Sequence, residues 1–379
     1  MAREGEMGRE GVDAKTLREW LERGEPVTVV DVRHAGDHAE WSVPGSVNLD
    51  AYDRLKAGDP GAMEGLDVPG DHPVVTVCGA GRSSAVAAEQ LRKQGYDALT
   101  LEGGMKAWGL AWNTADVPAG GGEAEVVQVR RTGKGCLSYL VGSGGEAAVI
   151  DASVDPEVHL DLAEERDLTI TRVLDTHVHA DHLSRSKALA ELTGAELHMP
   201  EGAPVSYPFS PLADGDEIRI GTVALRAVAT PGHTPESTSY LLDGGATSGA
   251  LFTGDTLFLS AVGRPDLGTN PEGARGKARA LHGSLRRVLE LDPDTTILPG
   301  HTGEPVPFDG KPVAASLYEV RENTSQLGRD EGAFVETLAG IASPAPGNHE
   351  RIVELNRSGE DPEGDPADLE AGANRCAAG

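Results

Sequence analysis

Apolar positions in the first third of the chain alternate between short continuous runs and helical periodicity. Residues 27–31 and 73–78 are short apolar, β-branched runs of the kind that form buried strands. Residues 14–23 and 83–93 repeat their apolar positions as amphipathic helices do. Because strands that alternate with helices build parallel sheets, we predict an α/β domain with a parallel sheet over residues 10–115.

The pattern changes after residues 116–123, a stretch rich in Gly and Pro that predicts a linker. From residue 124 the chain is dense in strand patterns, with helical patterns between them. We expect two sheets packed between helices over residues 124–379, an αββα sandwich with an acidic C-terminal tail, whose residues 359–367 should be mobile. Predicted strands include residues 126–130, 136–141, 147–151, 169–174, 217–220, 222–229, 239–242 and 251–253, and predicted helices include 156–166 and 183–192.

The charge balance is strongly acidic and narrows the range of partners. The 61 Asp and Glu residues outnumber 33 Lys and Arg, for a formal net charge of −28, and only eight residues are Lys. A surface of this charge argues against nucleic acid and against anionic membranes as partners. It fits a halophilic protein from a salt-rich cytoplasm, because counterions screen the self-repulsion.

Cysteine usage and the absence of long apolar runs point to the cytoplasm. Three cysteines, Cys78, Cys136 and Cys376, cannot build a disulfide framework. The first residues lack an apolar run, so no signal peptide is predicted, and no apolar stretch has the length of a membrane span. Cys136 lies in a strand pattern and is predicted to be a small buried apolar residue, while Cys376 is predicted to be an inert residue of the tail.

Candidate metal ligands recur in four short segments, each after an apolar strand-like run. Residues 176–182 read Thr-His-Val-His-Ala-Asp-His, and the other three segments are Gly-containing turns. Imidazole and carboxylate side chains together suit zinc or non-haem iron. Since His177 and His179 are two residues apart, an extended chain points them the same way. The full series is His177, His179, Asp181, His182, His233, Asp255 and His301.

This series resembles the metallo-β-lactamase fold over about residues 124–310, a frame that hydrolases and oxygenases share. One branch is the persulfide dioxygenase group, related to the human protein of ethylmalonic encephalopathy. That resemblance implies one Fe²⁺ held by His177, His233 and Asp255, a set with open coordination positions. The remaining residues would then surround the iron and orient its ligands. They are His179, Asp181, His182 and His301.

The other branch is the glyoxalase II group, which hydrolyses glutathione thioesters. In that group the same seven residues hold two metals, Asp255 bridges them, and a metal-bound hydroxide attacks the thioester. Ala180 and the segment 263–267 (Gly-Arg-Pro-Asp-Leu) resemble the dioxygenases, in which the Arg lies near the substrate. Arg264 is therefore a candidate substrate-binding residue, with structural pairing to Asp266 as the alternative. Zn²⁺ in place of iron, and a dinuclear site, stay open.

A second candidate site is the loop that begins at Cys78 and reads Cys-Gly-Ala-Gly-Arg-Ser-Ser. It joins a predicted strand to a predicted helix, so its backbone N–H groups and the helix start favour an anion and a reactive thiolate. The loop, together with the segments 31–33, 43–48 and 101–108, resembles a rhodanese domain. The resemblance implies Cys78 as the sulfur-carrying nucleophile, with Arg82 and Ser83 as substrate-binding residues.

The two resemblances together predict an iron-dependent persulfide dioxygenase coupled to sulfurtransferase activity. The expected substrates are a small-molecule thiol persulfide and O2, with sulfite or thiosulfate as products. One alternative is a dinuclear hydrolase of acyl-thioesters, of the hydroxyacylglutathione hydrolase type. Another is a sulfur-relay module in which Cys78 passes a persulfide to a partner protein. The identity of the thiol and a homo-oligomeric state are open.

Overall fold

The computed structural model describes residues 10–119, 123–244, 248–340 and 344–378. Its first part is a five-stranded parallel sheet of order β1-β5-β4-β2-β3. Val29 and Val75 pack on one face of this sheet and Val30 and Val74 on the other, so helices cover both faces. The elements are β1 Gly11–Val12, α1 Ala14–Glu22, β2 Thr28–Asp31, α2 Ala35–Glu40, β3 Val47–Asn48, α3 Tyr52–Lys56, β4 Val74–Val77, α4 Arg82–Lys93, β5 Ala98–Leu101 and α5 Gly104–Trp108.

The second part begins with a seven-stranded sheet of order β12-β11-β10-β9-β8-β7-β6. Its β6–β9 half is antiparallel and its β9–β12 half is parallel, with helices α6 and α7 connecting β9 to β10 and β10 to β11. The elements are β6 Asn113–Val117, β7 Glu125–Arg131, β8 Cys136–Ser143, β9 Glu146–Ile150, α6 Pro156–Glu164, β10 Thr169–Leu174, α7 Ser186–Thr193, β11 Glu196–Pro200 and β12 Ser210–Leu212.

A six-stranded sheet of order β13-β14-β15-β16-β18-β19 follows, together with a small β17–β20 pair. No helix in the described part of the chain is long and apolar enough to cross a membrane. The elements are β13 Glu217–Ile220, β14 Val223–Ala229, β15 Thr238–Leu242, β16 Ala250–Gly254, β17 Val262–Gly263, α8 Pro271–Val288, β18 Thr296–Pro299, β19 Ala315–Ser316, α9 Leu317–Asn323, a 3₁₀ turn Ser325–Gly328, α10 Glu331–Ala339, α11 His349–Ser358, α12 Pro366–Leu369 and β20 Ala377–Ala378.

The two large sheets pack face to face around one apolar core. Tyr139 of β8 meets Phe252 of β16 with ring centroids 4.9 Å apart, and the Tyr139 hydroxyl donates to the Pro299 carbonyl at 2.6 Å. Helices α6 and α7 cover the outer face of the seven-stranded sheet. Helices α8, α9 and α10 cover the outer face of the six-stranded sheet. The predicted fold class, a parallel α/β domain followed by an αββα sandwich, is confirmed.

The two parts of the chain touch through closely packed backbone. A Cβ placed on Gly133 would lie 1.8 Å from the Trp108 carbonyl oxygen, so only glycine fits there. The Arg131 guanidinium donates to the Gly109 carbonyl at 2.7 Å. The predicted linker 116–123 differs from the structure at its start, because β6 runs to Val117 and pairs with β7. Residues 120–122 lie outside the described residues.

The C-terminal segment also differs from the prediction of a mobile tail. Helix α12 lies within it, and Lys106 of the first domain pairs with Asp365 at 2.8 Å and with Asp368 at 2.7 Å. Glu370 is buried, and β20 pairs with β17. The acidic composition suggested a solvated tail, but Asp365, Asp368 and Glu370 pair with cations of both domains.

His159 on α6 is a buried imidazole with no hydrogen-bond partner among the described residues. Burial lowers its pKa from the ordinary 6.5 to about 4, so the folded protein holds it neutral. The unfolded chain binds the extra proton first, so stability is complete above pH 6.5 and is lost as the pH falls towards 4. The shift corresponds to roughly 3 kcal/mol.

We therefore expect His159→Leu to flatten the pH dependence of the free energy of unfolding between pH 7 and 4.5. Urea unfolding at several pH values in high-salt buffer measures this slope. His34→Gln, at an exposed histidine of the first domain, is the control and should leave the slope as in the wild type. An unchanged slope in His159→Leu would show that other groups carry the acid sensitivity.

Candidate metal centre

Three buried side chains converge on one point at the edge of the sandwich, where each stands in a loop directly after the carboxyl end of a strand. The ligand atoms of His177, His233 and Asp255 all lie within 4.8 Å of one another. Asp255 Oδ2 is 3.8 Å from His177 Nε2 and 3.6 Å from His233 Nε2. Neither His177 Nε2 nor Asp255 Oδ2 has a hydrogen-bond partner in the described structure. Buried polar atoms without partners are costly, and a bound metal would satisfy them.

The second ring nitrogen of each histidine in this triad is already engaged. His177 Nδ1 lies 2.9 Å from Thr176 Oγ1, and His233 Nδ1 lies 3.0 Å from the carbonyl oxygen of Arg264. The carbonyl accepts a hydrogen bond from Nδ1–H, so the lone pair of His233 is on Nε2, towards Asp255. Backbone and hydroxyl groups thus set the tautomers that a metal requires.

Electrostatics favour the metal-binding protonation states. Burial lowers the pKa of His177 well below its ordinary value, and it also lowers the pKa of His233. For Asp255, burial alone would raise the pKa, but the neighbouring imidazoles, His301 foremost, bring it below its usual range. The site therefore offers two neutral imidazoles and one carboxylate, the donor set of non-haem iron oxygenases and also of zinc hydrolases.

A second cluster lies on the other side of Asp255. His301 Nδ1 is 2.6 Å from Asp255 Oδ1, and His301 Nε2 is 2.9 Å from Asp181 Oδ2. His182 Nδ1 is 3.0 Å from Asp181 Oδ1. Cys136, at the start of β8, completes the cluster with its Sγ 3.5 Å from Asp181 Oδ2 and 3.7 Å from His182 Nδ1. The sequence analysis treated Cys136 as a plain apolar residue, and this placement corrects it.

The acid, the thiol and the imidazoles of this second cluster shift one another's pKa values. Burial works against ionisation of Cys136, yet the nearby His182 brings the pKa of the thiol down to about 6. For His182 itself, burial opposes the cation, and Asp181 and Cys136 raise the pKa to about 9. Among the described residues and without a metal, the cluster is an ion-paired network.

His179 belongs to a third group, with Asp151 and Asp175. Its Nε2 lies 3.2 Å from Asp151 Oδ1, while its Nδ1 has no partner among the described residues. Asp151 also accepts from the backbone N–H of Thr176 at 2.7 Å. This carboxylate therefore holds the histidine loop against the end of β9.

Asn356 of α11 is a positioning residue that the sequence did not reveal. Its buried amide donates to the backbone carbonyls of His179 and His182, each at 2.8 Å, and its oxygen accepts from Ser184 N at 2.9 Å. The Asn356 amide thereby satisfies two loop carbonyls after β10. An Asn more than 170 residues away carries no local signal of this role.

Arg264 makes the structural pairing with Asp266 that the sequence analysis gave as the alternative, and its substrate-binding role stays a prediction. Its side chain is 1% exposed, and its Nε and Nη2 donate to Asp266 at 2.8 and 2.7 Å. Its Nη1 donates to the carbonyls of Pro344 and Arg375 at 2.9 and 3.1 Å. The fork that would bind a substrate carboxylate already holds Asp266. Arg264 instead fixes the loop whose carbonyl orients His233.

Cys376 lies at the metal centre rather than in an inert tail. Its ligand atom is within 4.8 Å of those of Asp255 and His301, and burial raises the pKa of its thiol well above the ordinary value. The β17–β20 pair holds it there, since Arg264 N donates to the Cys376 carbonyl at 3.1 Å. Cys376 therefore borders the candidate metal centre as a buried residue.

A cavity of about 400 Å³ opens onto His233 from solvent. Val178, Ala180 and Val353 supply apolar wall, and the charged lining consists of two cations and two carboxylates: Lys277, Arg357, Glu236 and Glu350. Lys277 Nζ donates to the Leu267 carbonyl at 3.1 Å, and burial lowers the pKa of its ammonium. The cavity thus has the shape and charge for a small ionic molecule that reaches the metal ligands.

In the first domain, the Cys78 loop has the predicted form. The Sγ of Cys78, buried at the end of β4, accepts from Gly81 N at 3.2 Å and from Ser84 Oγ at 3.3 Å. A Cβ on Gly104, whose φ is +59°, would lie 2.2 Å from the Cys78 carbonyl oxygen, so the loop needs glycine there.

The two residues predicted to bind substrate beside this loop begin helix α4. Arg82 is its first residue and is exposed, and Ser83 is half-buried. The hydroxyl that contacts the thiol belongs to Ser84, the next residue along the chain. The substrate-binding roles of Arg82 and Ser83 stay predictions, and Ser84 joins them as a residue that touches the nucleophile.

Comparison with known families matches both parts of the chain. Residues 131–301 match the metallo-beta-lactamase superfamily, and residues 13–111 match the rhodanese-like domain. A hydroxyacylglutathione hydrolase from Anaeromyxobacter dehalogenans is 37% identical over 173 residues, which are 45% of this chain and 63% of that enzyme. The match therefore spans less than two thirds of that relative.

Two further relatives are covered over more of their length. A probable metallo-hydrolase from Burkholderia pseudomallei is 32% identical over 49% of this chain and 75% of its own. The crystal structure of ETHE1 from Myxococcus xanthus is 32% identical, with a TM-score of 0.53, over 61% of this chain and 97% of its own. The chain belongs to the metallo-β-lactamase superfamily and carries a rhodanese domain ahead of that fold.

Proposed function

We propose that the chain is an iron-dependent persulfide dioxygenase coupled to a sulfurtransferase. The reaction converts a thiol persulfide, RSSH, with O2 and H2O into RSH, sulfite and two protons. The terminal sulfur is oxidised and O2 is reduced, so no other reductant enters. The metal, a single Fe²⁺, would supply the reversible binding and activation of O2.

One observation carries this proposal: His177, His233 and Asp255 form a triad of their own, and the neighbouring cluster, which joins it through the 2.6 Å contact of His301 with Asp255, includes a cysteine thiol. Three protein ligands leave open positions, as an oxygenase needs for both of its substrates. The thiol of Cys136 occupies the cluster that a dinuclear hydrolase would use for its second metal. The similarity to ETHE1 over 97% of that protein also favours the proposal.

The chain's own residues would orient the metal ligands and bind the thiol carrier. The Arg264 carbonyl holds His233, and His301 holds Asp255 through Oδ1, leaving Oδ2 for the metal. The cavity beside His233 would seat the thiol carrier with its sulfur towards the triad. Its apolar wall at Val178 and Ala180 would limit water around the persulfide.

The first domain would carry sulfane sulfur on Cys78. The Cys78 thiolate attacks the outer sulfur of thiosulfate, forms a Cys78 persulfide and releases sulfite. In the reverse direction, sulfite made at the metal centre takes the sulfur from Cys78 and leaves as thiosulfate. Gly81 N and Ser84 Oγ, both within 3.3 Å of Sγ, would stabilise the thiolate between the two steps.

A thioester hydrolase of the glyoxalase II type is the second candidate. Its support is the group of relatives named hydroxyacylglutathione hydrolase, of which the first is 37% identical. The same seven metal-ligand side chains are present here. This candidate requires two metals and a metal-activated hydroxide, and it consumes no O2.

A comparison of two substrates and two metals separates these candidates. The metal-free protein is loaded with Fe²⁺ or with Zn²⁺ in high-salt buffer, and each form receives a persulfide or the acyl-thioester of the same thiol. We expect O2 consumption only with Fe²⁺ and the persulfide. Thioester hydrolysis in the Zn²⁺ form, without O2 uptake in the Fe²⁺ form, would favour the hydrolase.

Lys277 is expected to select carriers that bear a carboxylate, because its half-buried ammonium faces the cavity. Lys277→Ala should raise the KM for such a persulfide about 10- to 100-fold, the range for a lost charge-assisted hydrogen bond. The KM for a persulfide without a carboxylate, such as that of 2-mercaptoethanol, and both kcat values should change little. Steady-state O2 uptake with both carriers measures this selectivity.

Two variants serve as controls for Lys277→Ala. Lys277→Arg keeps the cation and should restore most of the discrimination, whereas Lys93→Ala removes an exposed cation of the first domain and should change nothing. An equal rise in KM for both carriers in Lys277→Ala would mean that the side chain supports the cavity wall and does not distinguish carriers by their carboxylate.

A further inference from the structure

A tryptophan of the first domain packs against the edge of the metal centre in the second. Trp41, the residue that follows α2, is buried, with 5% of its surface exposed. A Cβ placed on Gly135 would lie 2.8 Å from Trp41 Cη2, so the indole rests directly on the Gly135 backbone. Gly135, whose φ is +94°, immediately precedes Cys136 of the second cluster. The indole therefore touches the second domain one residue away from this cluster.

Three segments of the second domain meet where this indole packs. The same Cβ on Gly135 would also lie 2.8 Å from the Thr302 carbonyl oxygen and 2.8 Å from Asn374 Nδ2. Thr302 N donates to the Gly135 carbonyl at 2.9 Å, and Asn374 Nδ2 donates to the Thr302 carbonyl at 3.1 Å. Within two residues of these contacts, the three segments carry residues of the metal centre, in turn Cys136, His301 and Cys376.

The first domain holds the tryptophan in place from its own side. Arg33 Nη2 donates to the Trp41 carbonyl at 2.6 Å, and the same guanidinium pairs with Asp31 at the end of β2. Glu40, the residue before the tryptophan, accepts from Arg375 Nε at 2.7 Å. The contact is thus anchored on the parallel sheet and, across the domain boundary, on the C-terminal segment, as a support with locked neighbours needs to be.

The backbone under the indole connects to a metal ligand in two short steps. Thr302 follows His301 along the chain, and His301 forms an isolated antiparallel bridge with Cys136. His301 Nδ1 lies 2.6 Å from Asp255 Oδ1, while Asp255 Oδ2 is directed towards the other two members of the triad. A shift of the Thr302 segment would therefore move the group that orients Asp255.

We propose that Trp41 is a positioning residue of the metal centre, through which the first domain sets the metal affinity of the second. Without the indole, a cavity would remain over Gly135, and the three segments that meet there would be free to separate. His301 and then Asp255 would lose their fixed positions. The first domain is in this sense a structural part of the metal centre as well as the carrier of Cys78. This coupling acts on metal binding and holds whichever reaction the centre performs.

Titration of the metal-free full-length chain with Co²⁺, followed by visible absorption, measures this coupling without any turnover. Trp41→Ala should weaken Co²⁺ binding about 10- to 100-fold, the range for groups that orient metal ligands, and should change the spectrum of the bound ion. Trp41→Phe keeps an aromatic ring on Gly135 and should restore most of the affinity. Leu91→Ala is the control, because Leu91 is equally buried in a core cluster made of first-domain residues, and it should bind Co²⁺ as the wild type does.

Hydrogen exchange of the wild-type protein gives a test that needs no variant to fold. Because coupling between two sites is reciprocal, added Zn²⁺ should slow amide exchange around Trp41 as well as around His301. Exchange in α3, which packs within the first domain, should stay unchanged. Unchanged exchange around Trp41 would overturn the proposal, as would wild-type Co²⁺ affinity in Trp41→Ala or an equal loss in Leu91→Ala. Since O2 uptake is not measured, failure of the dioxygenase proposal would leave these results interpretable.

Discussion

His233→Ala is expected to lose bound iron and at least about 100-fold of persulfide-dependent O2 uptake, since even the loss of a group that orients a ligand typically costs 10- to 100-fold. His233 supplies one of three convergent ligand atoms, and two remaining ligands cannot hold Fe²⁺ well. The fold should survive, because the hydrogen bond that the described structure gives this imidazole is a single one, to the Arg264 carbonyl. Iron content and O2 uptake of the Fe²⁺-loaded variant measure the effect.

His198→Ala is the matched control for this experiment. His198 is also a buried histidine, on β11, whose ring nitrogens have no hydrogen bond among the described residues and whose Nε2 lies 3.6 Å from Glu196, and it belongs to none of the ligand clusters found among those residues. The His198→Ala variant should retain both its bound iron and its O2 uptake. If His198→Ala lost as much iron as His233→Ala, general loosening of the sandwich would explain both.

Glu370→Ala is expected to lower the free energy of unfolding by about 3–5 kcal/mol, the cost of breaking a buried ion pair on one side. Glu370 lies between two arginines, with Arg131 Nη2 at 3.0 Å and Arg185 Nη2 at 2.9 Å, and it accepts from Leu183 N at 2.7 Å. Burial alone would raise the pKa of this carboxyl, but the two guanidinium groups hold it well below the usual range. Without it, Arg131 stays buried without its ion-pair partner, and the half-buried Arg185 loses its carboxylate partner as well.

Urea unfolding in high-salt buffer measures this loss. Glu370→Gln keeps the size of the side chain and should fall between the wild type and Glu370→Ala. Glu363→Ala, at an exposed acid of the same segment, should stay within about 0.5 kcal/mol of the wild type. A similarly small effect of Glu370→Ala would mean that water enters and solvates the arginines.

The metal triad was predictable because each ligand follows a strand. His177, His233 and Asp255 stand in short loops after apolar runs, and the ends of such strands meet at one edge of a sandwich. The parallel sheet of the first domain was predictable for a similar reason, since its strands are continuous apolar runs.

Residues whose roles depend on distant partners were not predictable. Cys136 reads as a strand residue, and only the approach of β8 to the loop after β18 puts its thiol beside Asp181. Arg264 lies in a segment that resembles one with a substrate-binding arginine, yet its guanidinium is buried and donates to Asp266. Asn356 acts on a loop far away in the chain.

Local geometry limited the prediction at the Cys78 loop as well. Ser83 and Ser84 are neighbours at the start of a helix, where a step of one residue turns the side chain by about 100°. Because the helix begins at Arg82, it is the side chain of Ser84 that faces Cys78 Sγ. The acidic C-terminal segment was misjudged because its partners, Lys106 and Arg131, lie in distant parts of the chain.

O2 consumption tests the central claim most directly. The protein is purified without oxygen, loaded with Fe²⁺ and mixed with a small-molecule persulfide in high-salt buffer, while O2 and sulfite are followed together. The dioxygenase account predicts one O2 consumed per persulfide, with sulfite or thiosulfate formed. No consumption with persulfides of several thiols, combined with hydrolysis of an acyl-thioester by the same preparation, would contradict it.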